Sequence, residues 1–435
     1  MLRPRAWGRL LLHRVPHIKI VGSYWLLFAY CIGASLFVRL FDPSLAVIVF
    51  LSFSGVILAA ILISWGAEAA QFVVSQGLAI AIIALLQVVP EFMVEATIAW
   101  RGETDLMLAN VTGSNRLLLG VGWSMVFLVT DVSSRIRNGR GIGHIELRRE
   151  TYIQVLMLMA SSGYFAFVLL HGLLDIVDGI LLVAFFAGYM VLLKRLPEED
   201  AEKKEDLLTM PRYLASLPRP RERFYKLAGL FAIGGLTMWA MAEPFLDSMK
   251  IIAAGVGVTT FLFVQGIAPF LSEFPETVTA FYWARSVRLA PMALLNLISS
   301  KVSQWTLLVP MIPLVYGVSL GRWEGISLTA HQEQEVFLSL MMTLYGGVTL
   351  LKLRFTRLNA ISLFVLWLVQ FVFPYQLPLL GDAGWNNTRM LTAYVFGALI
   401  VFELIKHRND IHLIENLRVV AESVRTKRAT LESTL

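Results

Sequence analysis

From Ile20 almost to the C-terminus the chain returns repeatedly to apolar stretches of about 20 residues, the length at which a helix crosses a bilayer's hydrocarbon core. In lipid every backbone N–H and C=O must be satisfied within the protein, which leaves helices or a closed barrel. Barrel strands are short and alternate in polarity, whereas stretches such as LAVIVFLSFSGVILAAILIS from Leu45 are apolar all round. The sequence therefore predicts an all-α polytopic membrane protein. Composition agrees, with 57% of the 435 residues apolar and 16% charged, against about 45–50% and about 25% in soluble domains.

The pattern predicts about twelve spans, at 20–41, 44–65, 70–100, 106–130, 151–171, 173–194, 226–248, 251–284, 290–319, 335–353, 358–377 and 389–405. An even number puts both termini on one side. Thirty Lys and Arg residues lie on that side and five on the other, Arg39, Arg101, Lys250, Arg322 and Arg389. By the positive-inside rule both termini face the cytoplasm, as expected of a multi-pass protein of the plasma (inner) membrane. The pI near 9.4 is thus mostly a record of topology. No folded basic module with interleaved aromatics points to nucleic acid. A single cysteine, Cys31, excludes an intrachain disulfide, and the seven scattered histidines show no zinc-site spacing. The first apolar segment follows a basic start but has no small-residue cleavage site, so it reads as a retained span.

The domain reading follows: a basic N-terminus and extra span at 1–43, a first membrane repeat at 44–195, a charged cytoplasmic linker at 196–225, a second repeat at 226–378, and an extra span with a cytoplasmic tail at 379–435. The repeats are visible as residues. VVPEFMVEATIAW precedes MLANVTGSNRLLLG in the third and fourth spans, and SEFPETVTAFYWA precedes ALLNLISSKVSQWTLL in the eighth and ninth. Pro90 to Asn110 is twenty residues and Pro275 to Asn296 is twenty-one. The copies lie five spans apart, so the second enters the membrane from the opposite face. Such inverted repeats are typical of secondary transporters, which bind substrate near the midplane between broken helices.

Carboxylates at membrane depth cost about 2.5–3.5 kcal/mol each on the lenient insertion scale, so they must face a cavity, a partner or a proton. Four are expected there: Glu91, Glu95, Glu273 and Glu276. A hard cation takes oxygen ligands, and Glu91 and Glu276 could supply them from two related helices. Pro90 and Pro275 would free the carbonyls of Leu86 and Leu271 as further ligands. Helical spacing places Gln87, Glu91 and Glu95 on one stripe and Ser272 one turn before Glu276. On the following helices Asn110 and Ser114 form one polar stripe, and Asn296, Ser300 and Gln304 form its counterpart. Gly113, Ser114, Ser299 and Ser300 also suit plain close packing of helices.

PEFMVEA with NVTGSN, inverted as SEFPETV with NLISSK, resembles the paired alpha repeats of the calcium/cation antiporter superfamily, which includes the sodium/calcium exchangers. The resemblance implies a ten-span exchanger core, five plus five inverted, with one extra helix at each end. It implies that Glu91 and Glu276 are the central metal ligands, and that Ser114 and Ser300 stand at the serine of the family's Gly-Ser-Asn. Asn115 is the asparagine of that motif in the first repeat. Gln87 with Val88, and Ser272 with Glu273, fall where the family has Thr-Ser, and Leu118 and Gln304 fall at its next polar position. Val88 and Leu118 remove ligands, Glu273 adds a carboxylate, and Lys301 replaces the second asparagine. Lys301 and Arg116 would then pair with Glu95 or Glu273, or occupy space that sodium uses in relatives.

The leading expectation is a secondary cation antiporter exchanging calcium for sodium or protons by alternating access. The other reading is a degenerate, non-transporting exchanger-fold scaffold or sensor closed by Lys301. An enzyme is disfavoured, because adjacent Ser300 and Lys301 cannot both face one reaction centre on a regular helix. The resemblance implies no cofactor, since the cation, calcium, sodium or proton, is substrate. The expected partners are the lipid bilayer and inorganic cations, with no oligomeric state assigned.

Overall fold

The computed structural model describes residues 17–41, 43–70, 76–195, 207–373 and 388–422. The basic N-terminal start, most of the charged half of the linker and the end of the tail lie outside them. The first half contains α1 (His17–Leu40), α2 (Leu45–Ala70), α3 (Gln76–Trp100), α4 (Ala109–Leu117), α5 (Ser124–Asn138), α6 (Tyr152–His171) and α7 (Ile176–Arg195). After the short α8 (Thr209–Ala215) come α9 (Pro220–Val256), α10 (Thr260–Ser272), α11 (Phe274–Ala284), α12 (Ala290–Ser303), α13 (Val309–Leu320), α14 (Ala330–Leu350), α15 (Arg357–Val372) and α16 (Thr388–Lys406). Among the described residues seven helical segments are long and apolar enough to cross a bilayer by length and composition. The count of twelve rests on the sequence alone.

α4 and α5 are one rod joined by a π-helical turn at Leu118–Trp123, and α12 and α13 are joined likewise at Gln304–Leu308. Both rods end on a left-handed glycine, Gly139 with φ 72° and Gly321 with φ 66°. Packing obeys the same exchange. α3 lies against α13 as α10 lies against α4, α6 against α12 as α14 against α4, and α7 against α13 as α15 against α5 and its π turn. Two antiparallel ribbons complete the pairing. β1 (His144–Glu146) pairs with β4 (Arg354–Thr356), and β2 (Leu173–Leu174) with β3 (Ile326–Ser327). β1 and β2 flank α6, a helix about 30 Å long at 1.5 Å per residue, so the ribbons sit at opposite faces. Each ribbon joins one repeat to the other.

Two expectations are corrected. The span expected at 251–284 is not one helix, because α9 runs on to Val256 and the chain then forms two half-helices broken at Glu273. Pro90 lies inside α3, whereas Pro275 starts α11, where a proline's fixed φ and missing N–H fit the first turn. The second repeat also carries Pro269, whose missing N–H leaves the Gln265 carbonyl without its helical donor. α4 approaches at that carbonyl. A Cβ on Gly113 would stand 2.1 Å from the Gln265 oxygen, so only glycine lets the two backbones meet there.

A second tie is ionic. Arg116 on α4 pairs with Glu335 on α14 at 2.5 Å, and Arg389 on α16 pairs with the other Glu335 oxygen; all three are at most 2% exposed. Arg116 also donates to Gln370 on α15 and to the Thr112 carbonyl, both at 3.1 Å. Gln265 on α10 donates to Glu335 at 2.8 Å and to Thr112 Oγ1 at 3.0 Å. Arg389, expected as a loop charge on the face opposite the termini, is therefore buried within the helices.

Gly113→Ala should destabilise the protein by about 1–3 kcal/mol, because the added methyl meets a backbone atom that cannot turn aside. Glu335→Gln should be worse, by about 3–5 kcal/mol, because it strands two buried guanidiniums. Thermal unfolding in detergent, followed by the loss of the monodisperse gel-filtration peak, checks both.

Candidate functional site

The acidic centre forms where α3, the α10–α11 break, α4 and α12 meet. Glu91, Glu95, Glu273 and Glu276 are all buried, at no more than 5% exposure. Gln304, the first residue of the second π turn, reaches across to the first repeat. Its Nε2 donates to Glu91 Oε1 at 3.1 Å and Oε2 at 3.3 Å, and also to Glu273 Oε1. Two carboxylates from opposite repeats thus gather around one amide nitrogen. The π turn suits this task, since the extra residue in the turn re-aims a side chain without ending the rod.

Glu276 lies in the first turn of α11, at the helix end whose dipole favours negative charge. It does not join the Gln304 bridge, and its Oε2 is buried without a hydrogen-bond partner. Glu95 lies one turn beyond Glu91, and its Oε1 accepts from the amide of Leu108 at 3.2 Å. Leu108 is left-handed, with φ 69°, and begins α4, so this carboxylate fixes the start of the helix that carries Asn110 and Ser114. Gln304 Oε1 is likewise buried without a hydrogen-bond partner, while the Asn110 side chain lies against Glu95 and the Ser114 hydroxyl against Glu91. Unsatisfied polar atoms are rare in native interiors, so the open oxygens of Glu276 and Gln304 make this acidic centre chemically unusual.

The remaining expected residues can now be placed. Ser272, at the end of α10, turns its hydroxyl back to the Ala268 carbonyl at 3.0 Å. Ser300 is buried and Asn296 half-buried on α12. Gln87 lies on α3, with its side chain outside the described residues. Leu118, matched to Gln304 by the repeat, opens the first π turn and is buried, so the first repeat has the bend without the ligand.

The expected pairing of Lys301 and Arg116 with the site glutamates is corrected. Lys301, fully buried, donates to the Asn115 carbonyl at 2.8 Å and to its Oδ1 at 2.5 Å, and makes no ion pair among the described residues. Arg116 turns away to Glu335. Both cations are held by partners of their own, so neither closes a salt bridge on the four glutamates. No group of three acidic, histidine or cysteine side chains forms a ready metal cage among the described residues. The acidic centre is a set of carboxylate and amide oxygens brought together from separate helices, chemistry that suits a cation or protons.

Three residues escaped the sequence reading. Glu335 and Arg389 are the first residues of the spans expected at 335–353 and 389–405, where a charge reads as facing the membrane surface. Glu68 was placed between spans, yet α2 continues past it to Ala70, and Thr279 on α11 donates to it at 2.7 Å. Their i,i+3 and i,i+4 neighbours gave no sign of these partners, all of which lie on distant helices.

Comparison with known proteins places this geometry. The structure superposes on the crystal structure of the H+/Ca2+ exchanger CAX with a TM-score of 0.82 and 29% identity, covering 94% of this chain and 99% of that one. The sodium-calcium exchanger NCX_Mj, soaked with 2.5 mM Na+ and 0.1 mM Sr2+, matches at a TM-score of 0.50 and 16% identity, over 76% of this chain and 99% of that one, a likeness of fold. Comparison with curated proteins gave no match. The model of the sodium/calcium exchanger protein family matches residues 20–194 and 226–376, the two halves on either side of the linker. The chain therefore belongs to the sodium/calcium exchanger family, and its helices have that family's fold.

Proposed function

We propose that the protein exchanges calcium for protons by alternating access, with Glu91 and Glu276 as the principal cation ligands and Glu273, Gln304, Ser114 and Ser300 around them. The observation that carries this reading is the bridge of Gln304 to both Glu91 and Glu273. Two carboxylates on one amide nitrogen in a dry surrounding need positive charge between them, either a divalent cation or a proton. Either occupant neutralises the same oxygens, so each displaces the other, and that competition couples their movements. A cycle without leak further requires that the loaded states favour closure more than the empty one. Family membership supports cation antiport in general, and the broad likeness to an H+/Ca2+ exchanger favours the proton as coupling ion.

The fate of Lys301 argues against a closed relic. A tethered cation that blocked the site would lie on the carboxylates, whereas this ammonium is held by Asn115. Buried charges are costly to strand, so four buried glutamates with no ion pair among the described residues are poorly explained by structure alone.

Reconstituted protein should take up calcium when an outward proton gradient is imposed, without need of sodium. Glu276→Gln and Glu91→Gln should each reduce the rate at least about a hundredfold, the scale of losing a charged ligand worth about 3 kcal/mol. Uptake at the wild-type rate in Glu276→Gln removes the assigned ligand. A second measurement addresses Lys301. The scaffold reading expects no wild-type uptake and a gain in Lys301→Asn, whereas the antiporter reading expects wild-type uptake and no gain.

A further inference from the structure

We infer that Glu68 is a staging ligand for the divalent cation, holding it between the membrane surface and Glu276. This rests on the antiporter reading and adds to it a residue and a route.

Glu68 is the only charged residue of α2, twenty-six residues long, and it lies two positions before the end of that helix. It is half-buried, whereas the four glutamates of the centre are buried. Thr279 Oγ1, itself 5% exposed, donates to Glu68 Oε1 at 2.7 Å. Thr279 is three residues past Glu276 on α11, one turn and about 4.5 Å along the axis. At the other end of this line Glu276 Oε2 is buried and makes no hydrogen bond. A half-exposed carboxylate on α2 thus touches a hydroxyl on α11, which stands one turn from a buried carboxylate near the break.

That order suits a hard cation losing its water in steps. Calcium takes six to eight oxygen ligands in flexible geometry and accepts carboxylates, hydroxyls and waters together. At Glu68 the ion keeps much of its hydration while gaining one carboxylate. The Thr279 hydroxyl, a donor to Glu68 in this structure, has two lone pairs to offer when it rotates. The next oxygen is the open one of Glu276. A negative charge near the surface also raises the local cation concentration. α2 packs against α9, α3 and α11, so Glu68 stands in a seam between the repeats. It belongs to the face on which α11 ends and Arg285 and Arg288 follow, the cytoplasmic face by the positive-inside count.

A plain structural tie between α2 and α11 would make different predictions, because only a staging role is specific to one side. Calcium uptake is measured in right-side-out and inverted membrane vesicles, and equilibrium calcium binding on the purified protein in detergent. Glu68→Gln should raise the apparent KM for calcium about tenfold from the Glu68 face, the lower end of electrostatic steering. KM from the opposite face and equilibrium binding should be unchanged. Glu68→Asp should recover most of the loss, and Thr279→Val should give a smaller rise on the same side. These two variants carry the same readout if Glu68→Gln does not fold. An unchanged KM on both faces, an equal rise on both faces, or lost equilibrium binding overturns the staging role. A wild-type protein that neither binds nor moves calcium overturns the antiporter reading and this role with it.

Discussion

Charge in hydrocarbon must be answered by charge or hydrogen, and the helices of this protein are arranged to answer it at two centres. At one, Glu335 receives both Arg116 and Arg389, so its charge is answered within the chain. At the other, Glu91 and Glu273 share the amide of Gln304 and Glu276 keeps an oxygen unpaired, so the demand is left for something mobile. The first centre makes the second possible. By occupying Arg116, two residues past Ser114 on α4, Glu335 turns that guanidinium away from the glutamates, and Asn115 holds the Lys301 side chain by hydrogen bonds rather than an ion pair to them.

The break between α10 and α11 is the other half of the arrangement. One repeat carries its proline within a continuous helix, while the other has Pro269 and Pro275 six positions apart and comes apart between them. A freed carbonyl at Gln265 then becomes the surface against which Gly113 fits. Inverted symmetry is thus kept in packing, ribbons and π turns and relaxed at the site itself, where one copy presents glutamine and the other leucine.

Much of this was legible as residues. The matched Pro-Glu pairs gave the inverted repeat and the four buried glutamates, and counting on from them located Gln304, Ser114 and Ser300. Partners across the bundle were not legible. Arg116 has Asp105 and Glu103 as its nearest carboxylates in sequence, yet pairs with Glu335 far along the chain, because helix packing rather than spacing decides which charges meet. Glu68 and Arg389 were missed for a related reason. At a helix end a single charge looks the same to a hydropathy average whether it faces water or turns inward. The identical dipeptides at Pro90 and Pro275 had different outcomes because the deciding residue, Pro269, lies outside the repeat motif.

The two ribbons impose an order on biosynthesis. β1 and β2 emerge early and have no partners until β4 and β3 are made, after most of the second repeat. Such closures between distant segments come late in folding, because the loop entropy is lost before the contact is gained. Until then Glu91 and Glu95 stand on a nascent α3 that has not yet met Gln304. The newborn first half is therefore a membrane-inserted chain that carries Glu91 and Glu95 without their second-half neighbours, and the acidic centre is assembled only when the second half docks and the ribbons close.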